Sequence, residues 1–206
     1  MRSSGFDRVA LLYDALAGMV FGKSMRESQF FYLDRIPSGA KVLILGGGTG
    51  WLAKRLLQIN LTCSIVYQEA SGEMISQSRK RMSEGDLKRI RFVHASEIVP
   101  GEAFDVVITN FFLDLFQPSG LNDVVSQIKS SINQNGLWII TEFIDEGKWW
   151  QKILLKTMYV FFRITSGIQA TSLPPWENTV HQNGMILVES KGFYKGFIRS
   201  EVVKLS

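Results

Sequence analysis

From residue 41 onward the chain alternates short continuous apolar runs with stretches whose apolar positions recur every three or four residues. KVLIL (41–45) is a run of the kind expected for a strand buried on both faces. TGWLAKRLLQI (49–59) puts Leu52, Leu56, Leu57 and Ile59 on one side of a helix, with Asn60 as its stop. The β-branched stretch 62–69 predicts a second strand, followed by a helix over about 71–83. Residues 90–94 and 104–110 predict a third and a fourth strand. A helix at about 119–132 then leads through Asn135-Gly136, a turn signal, into a fifth strand at 137–143.

Strand–helix alternation of this kind implies right-handed crossovers and a parallel, doubly wound α/β sheet. Two helical segments, about 6–21 and 23–34, precede it and are expected to lie over the sheet edge. After residue 145 the rhythm changes. A long helix at about 147–164 is followed by a Pro-containing loop, 172–178, and by two strand-like runs around Gly192 and Gly196, read as a terminal hairpin. The expected organisation is one domain over 1–206. Residues 1–36 form a helical lid, 37–145 the core and 146–206 a C-terminal, substrate-side portion.

Composition narrows the class. With 206 residues, 46% hydrophobic and 12% aromatic, the chain is neither disordered, collagen-like nor a disulfide scaffold. Cys63 is the single cysteine and no Cys/His cluster has zinc spacing, so no metal is expected. The net charge of +4 comes from 23 basic and 19 acidic residues, mostly interleaved and without a nucleic-acid-binding motif, so no nucleic-acid partner is expected. No signal-peptide pattern and no apolar stretch of about 18 residues appears, which predicts a cytoplasmic protein.

The candidate chemistry lies in VLILGGGTG (42–50), where a strand runs into glycines and then a helix. Backbone amides at a helix N-terminus can hold an anionic group, and glycines let a ligand approach the chain. A dinucleotide fingerprint requires a third glycine where Trp51 stands, which disfavours an NAD-dependent oxidoreductase. No Gly-Lys-Ser/Thr follows, which removes a P-loop. What remains is Gly46, Gly48 and Gly50 at alternate positions, with Gly47 and Thr49 between them. The next acid suitably placed is Glu69, ending the second strand, where a carboxylate can accept both hydroxyls of a ribose.

This spacing resembles the class I S-adenosylmethionine-dependent methyltransferases, and Phe6-Asp7-Arg8-Val9-Ala10 with Tyr13-Asp14 resembles the ubiquinone/menaquinone-biosynthesis-like branch. The resemblance implies a Rossmann-like fold with a mostly parallel seven-stranded sheet ending in an antiparallel hairpin, and S-adenosylmethionine as cofactor. It implies that Gly46, Gly47, Gly48, Thr49 and Gly50 cradle the cofactor and Glu69 binds its ribose. Ala70 and Met74 would pack on the adenine, with Ser96 and Glu97 at its edge. Asn110 would face the methyl group, and Tyr13 the methionine end. Two positions depart from the family pattern: Ile44 and Ser96 stand where acids are common.

Catalytic candidates are Asp114, after the fourth strand, His181, in the loop before the hairpin, and Tyr13; a strand-end structural role is expected for His94. The expected function is methylation of a small aromatic or lipophilic acceptor. The alternative is a non-catalytic protein that binds S-adenosylmethionine or S-adenosylhomocysteine for regulation or interaction. Along 147–164, Lys148, Lys152 and Lys156 share one face. A helix resting on a membrane is weighed there against a sheet-packed helix with a basic solvent face, and the second is the expectation.

Overall fold

The computed structural model describes residues 21–98, 101–166 and 172–206. Seven strands form its centre: β1 (Lys41–Leu45), β2 (Ser64–Glu69), β3 (Ile90–His94), β4 (Phe104–Asn110), β5 (Ile132–Phe143), β6 (Met185–Phe193) and β7 (Ile198–Leu205). Their order is β3-β2-β1-β4-β5-β7-β6. The first five are mutually parallel, β7 is antiparallel to β5, and β6 is antiparallel to β7. The helices are α1 (Ser24–Phe30), α2 (Trp51–Ile59), α3 (Gly72–Arg81), α4 (Glu84–Leu87), α5 (Pro118–Ser130), α6 (Trp149–Ser166) and α7 (Trp176–Gln182).

Alternation within the apolar runs divides the core between the two faces of the sheet. Val42, Ile44, Ile65 and Tyr67 pack with Leu52, Leu56 and Leu57 of α2. Leu43, Leu45, Val66 and Val107 point the other way, toward Leu121, Val125 and Ile128 of α5 and Trp176 and Val180 of α7. A third, aromatic cluster gathers Phe21, Phe111, Phe143, Tyr159 and Phe197. Because β1, β2 and β4 end at the same edge of the sheet, the glycine loop, Glu69 and Asn110 arrive there together.

The structure departs from the expected elements at three places. Asn135-Gly136 is not a turn before β5 but part of it. β5 starts at Ile132, and its register against β4 jumps from Phe104↔Ile132 to Val106↔Leu137. The looped-out residues are fastened where Asn133 Nδ2 donates to Asp105 Oδ1 at 2.8 Å. A Cβ on Gly136 would lie 2.7 Å from Ile132 Cγ2, so the chain approaches itself too closely for a side chain.

The expected loop at 172–178 gives way to α7, whose first residue Trp176 follows Pro174-Pro175. Proline there starts a helix as readily as it breaks one. The helix expected at 71–83 is cut after Arg81, and Ser83 begins α4 with a reciprocal capping box to Asp86.

Of the two N-terminal helical segments, the second is realised as α1 and a 3-10 turn at Leu33–Arg35, whereas 6–20 lies outside the described residues. α1 is fixed to the sheet where Ser200 Oγ of β7 donates to the Ser28 carbonyl at 2.7 Å.

Candidate functional site

The glycine loop leaves β1 and turns back over β2. Tyr67 OH donates to the Gly48 carbonyl at 2.5 Å. Gly48 has a φ of 64°, and nothing lies within 4 Å of where its Cβ would be, so its bare side faces open space. Gly50 has the opposite role. Its Cβ would lie 2.2 Å from Ser78 Oγ, so this glycine lets α3 pack closely and does not line the chamber. Two guanidinium groups stack over the Trp51 ring, Arg26 of α1 at 4.2 Å and Arg81 of α3 at 3.8 Å. Arg81 Nε also donates to the Thr49 carbonyl at 2.9 Å.

Glu69 is buried between this loop and α3. Its Oε2 accepts the Gly48 amide and its Oε1 the Ser71 amide, both at 2.9 Å. Burial raises its pKa above the usual carboxylate value, and the two amides pull in the opposite direction. An ionised carboxylate offers about four lone-pair sites, so capacity for two ribose hydroxyls remains after these bonds. Ala70, the buried Met74 and the exposed Ser96 line the same chamber. His94 Nε2 lies 2.9 Å from the Ala70 carbonyl and braces the end of β2.

The far end of the chamber is built after β4. Phe111 has a φ of 51°, and the turn it starts is held by Glu142 of β5, whose Oε1 accepts the Phe112 and Leu113 amides at 2.8 and 2.7 Å. Among the described residues, both polar atoms of Asn110 are buried without a partner, as are Asp114 Oδ1 and Glu142 Oε2. Buried polar groups are normally bonded, so an unpartnered group in a chamber wall is matched to a ligand or holds a proton.

Burial lifts the Asp114 carboxyl to about 7. Burial, and then the neighbouring charge of Asp114, raises Glu142 well above the usual range. Two such carboxyls do not ionise together, so the pair retains a proton near neutral pH. Tyr159 OH donates to the Asp114 carbonyl at 3.4 Å, and burial raises this phenol too.

The chamber has a volume of about 360 Å³, within the size range of small-molecule sites, roughly 300–1,000 Å³. Gly46, Gly47, Gly48, Thr49, Glu69, Ala70, Met74, Ser96, Asn110 and Asp114 are brought together in its wall. Glu97 is exposed and outside that wall, and contributes through its carbonyl, which accepts Gln68 Nε2 at 2.8 Å. His181 is not at the site. It lies in the last turn of α7, and its Nδ1 lies 3.2 Å from the carbonyl of Met185, the first residue of β6. Since β6 runs parallel to β1, that is the edge of the sheet opposite the glycine loop. Tyr13 lies outside the described residues.

Sequence reasoning missed Gln29, Phe143 and Glu142. Glu142 had a signal, an acid inside the otherwise apolar run LWIITEF, where a charge is costly unless it has work to do. Ile44 is buried and forms part of the chamber floor, so the position where the family commonly has an acid is apolar here.

Residues 42–136 match the family model of a methyltransferase domain. No curated protein matches the chain in sequence. Among solved structures, CalO1, a methyltransferase in calicheamicin biosynthesis in its SAH-bound form, aligns with a TM-score of 0.69 at 16% identity, over 96% of this chain and 57% of that one. The mitomycin 7-O-methyltransferase MmcR aligns with a TM-score of 0.72 at 13% identity, over 100% of this chain and 62% of its own. The [4+2]-cyclase SpnF aligns with a TM-score of 0.71 at 13% identity, over 98% and 94%. The chain therefore spans less than two thirds of the first two proteins. At these identities the likeness is one of fold.

Proposed function

From the match of residues 42–136 to the methyltransferase-domain family model, we propose that the protein belongs to that family and uses S-adenosylmethionine to methylate a small aromatic or lipophilic acceptor beside Asn110. One observation carries this reading. A single chamber runs from the glycine loop and Glu69 to the unpartnered atoms of Asn110 and Asp114, between the apolar walls of Phe111, Phe112, Leu115, Phe116 and Phe143. The residues fit the cofactor: Gly48 leaves open space, Glu69 offers a buried carboxylate, and the Asn110 amide lacks partners.

When bound, S-adenosylmethionine supplies a methyl group already activated by a sulfonium. The glycine loop and Glu69 hold the nucleoside portion, and the Asn110 amide orients polar groups at the join between cofactor and acceptor. The phenylalanine walls exclude water and fix the acceptor's line of approach, the main requirement of a direct displacement. A base is needed only where the acceptor keeps its proton, and Asp114 Oδ1, buried and unpartnered, is placed to take it. With Asp114 near 7, that oxygen is available for part of the population at neutral pH.

A screen of phenolic and other lipophilic acceptors with labelled S-adenosylmethionine tests the reading directly. Calorimetry with S-adenosylhomocysteine and with NAD tests the cofactor separately. A second reading, a binding protein without transferase activity, is favoured by the apolar Ile44 in the chamber floor, and a fold shared with a cyclase is compatible with it. S-adenosylhomocysteine binding with no acceptor turned over would select that reading. Failure of S-adenosylhomocysteine to bind would overturn both.

A further inference from the structure

The inward face of α6 packs through the buried Leu155 and Tyr159 into the aromatic cluster around Phe143 and Phe197. Gln151 is also turned inward, its Oε1 accepting the Glu146 amide at 2.9 Å. The outward face is not simply polar. Trp149 is 75% exposed, Ile153 59% and Val160 49%. At about 100° of turn and 1.5 Å of rise per residue, these three fall within roughly 40° of one another, in a stripe about 16 Å long. Lys152, Lys156 and Arg163 form a second stripe beside it. All three are exposed and make no ion pair among the described residues. No acidic residue occurs in 149–166. These cations and Val160 also line an open groove of about 620 Å³ between α6 and the 172–178 segment, where Asp145 and Glu177 stand on the other wall without pairing to them.

We propose that this face of α6 docks on an anionic lipid bilayer, with the helix lying along the surface. Charge complementarity supports that occupant. Cations with no acidic partner suit phospholipid phosphates and anionic headgroups, while an exposed Trp, Ile and Val have somewhere to go only if the same partner offers an apolar layer beneath its charge. A nucleic-acid backbone would use the cations and leave Ile153 and Val160 in water. Pairing two copies through this stripe would bring both sets of unpaired cations into one interface. A basic solvent face, as expected from the sequence, accounts for the lysines and leaves the apolar stripe unexplained. No helix among the described residues is long and apolar enough to cross a membrane, so the contact proposed is with the surface.

The test is co-sedimentation of the full chain with mixed phosphatidylcholine–phosphatidylglycerol vesicles and with pure phosphatidylcholine vesicles, with tryptophan emission recorded in parallel. Binding to the mixed vesicles alone is expected, weakening as salt is raised. Lys152→Glu/Lys156→Glu and Ile153→Ser/Val160→Ser should each lower it by about tenfold or more. These side chains are exposed, so unchanged circular dichroism and melting will show that the variants fold. Trp149→Phe should still pellet but lose the blue shift. Absence of pelleting, equal pelleting with both vesicle types, or double variants that pellet like the parent would each overturn the proposal. So would a vesicle-independent dimer that Ile153→Ser/Val160→Ser dissolves, which would assign the stripe to a second copy.

Discussion

The ring of Tyr67 fills the space that a side chain on Gly47 would need. A Cβ at position 47 would lie 2.2 Å from the ring, and Tyr67 is fully buried, so it cannot swing away. Gly47→Ala should therefore push the loop off β2 and weaken S-adenosylhomocysteine binding by at least about tenfold, measured by calorimetry. Tyr67→Phe keeps the packing and loses the bond to Gly48, a cost of about 1 kcal/mol, or roughly fivefold. Equal affinities for parent and Gly47→Ala would show that the loop's path does not set the site.

Glu69 joins the loop to α3 and is proposed to hold the ribose. Glu69→Ala should weaken S-adenosylhomocysteine binding by about tenfold or more, since it removes charge-assisted bonds from a buried position. Because burial raises its pKa, the carboxylate form is lost at a higher pH than for an ordinary glutamate. Affinity should thus fall as the medium is acidified, beginning above the usual carboxylate range. An affinity unchanged by the substitution would remove Glu69 from the site.

Asn110 has two buried polar atoms, and neither has a partner among the described residues. Asn110→Ala is expected to weaken cofactor binding by about tenfold, the worth of one or two hydrogen bonds, while leaving the melting temperature unchanged or higher. A marked loss of stability with full affinity would mean that the amide serves the fold and not the ligand.

Asp114 supplies a stability test with a definite sign. Its carboxyl sits at about 7 in the folded protein, against about 4 in an unfolded chain, so the folded state holds a proton that the unfolded state has released. Its contribution to stability is therefore greatest below pH 4 and declines as pH rises toward 7. Asp114→Asn abolishes that titration. Its melting temperature relative to the parent should rise between pH 5 and pH 8, by several degrees. A difference that stays constant with pH would rule out Asp114 as the buried titrating group.

The five parallel strands were legible as short apolar or β-branched runs between helical stretches, unbroken for the central β1, and the ends of those runs located the glycine loop, Glu69 and Asn110. What escaped has physical causes. Asn135-Gly136 carries residues that suit turns and bulges alike, and only the pairing with Asp105 decides between them. His181 was placed near the acceptor because Pro174-Pro175 suggested a loop, whereas the prolines start α7 and carry His181 to the opposite edge. Glu142 sits in an apolar strand as an isolated acid, and its partners, the Phe112 and Leu113 amides, are thirty residues away in the chain.

The Trp51 stack ties the loop to elements on both sides. Arg26 reaches it from α1, Arg81 from α3, and α1 is in turn bonded through Ser28 to β7. Filling the loop should consequently be felt well beyond it. S-adenosylhomocysteine is expected to slow amide hydrogen exchange in α1, and Trp51→Ala to break that transmission while sparing the exchange rates of β4. The residue that displaces the third glycine of a dinucleotide site would then be what makes α1 responsive to a ligand in the loop.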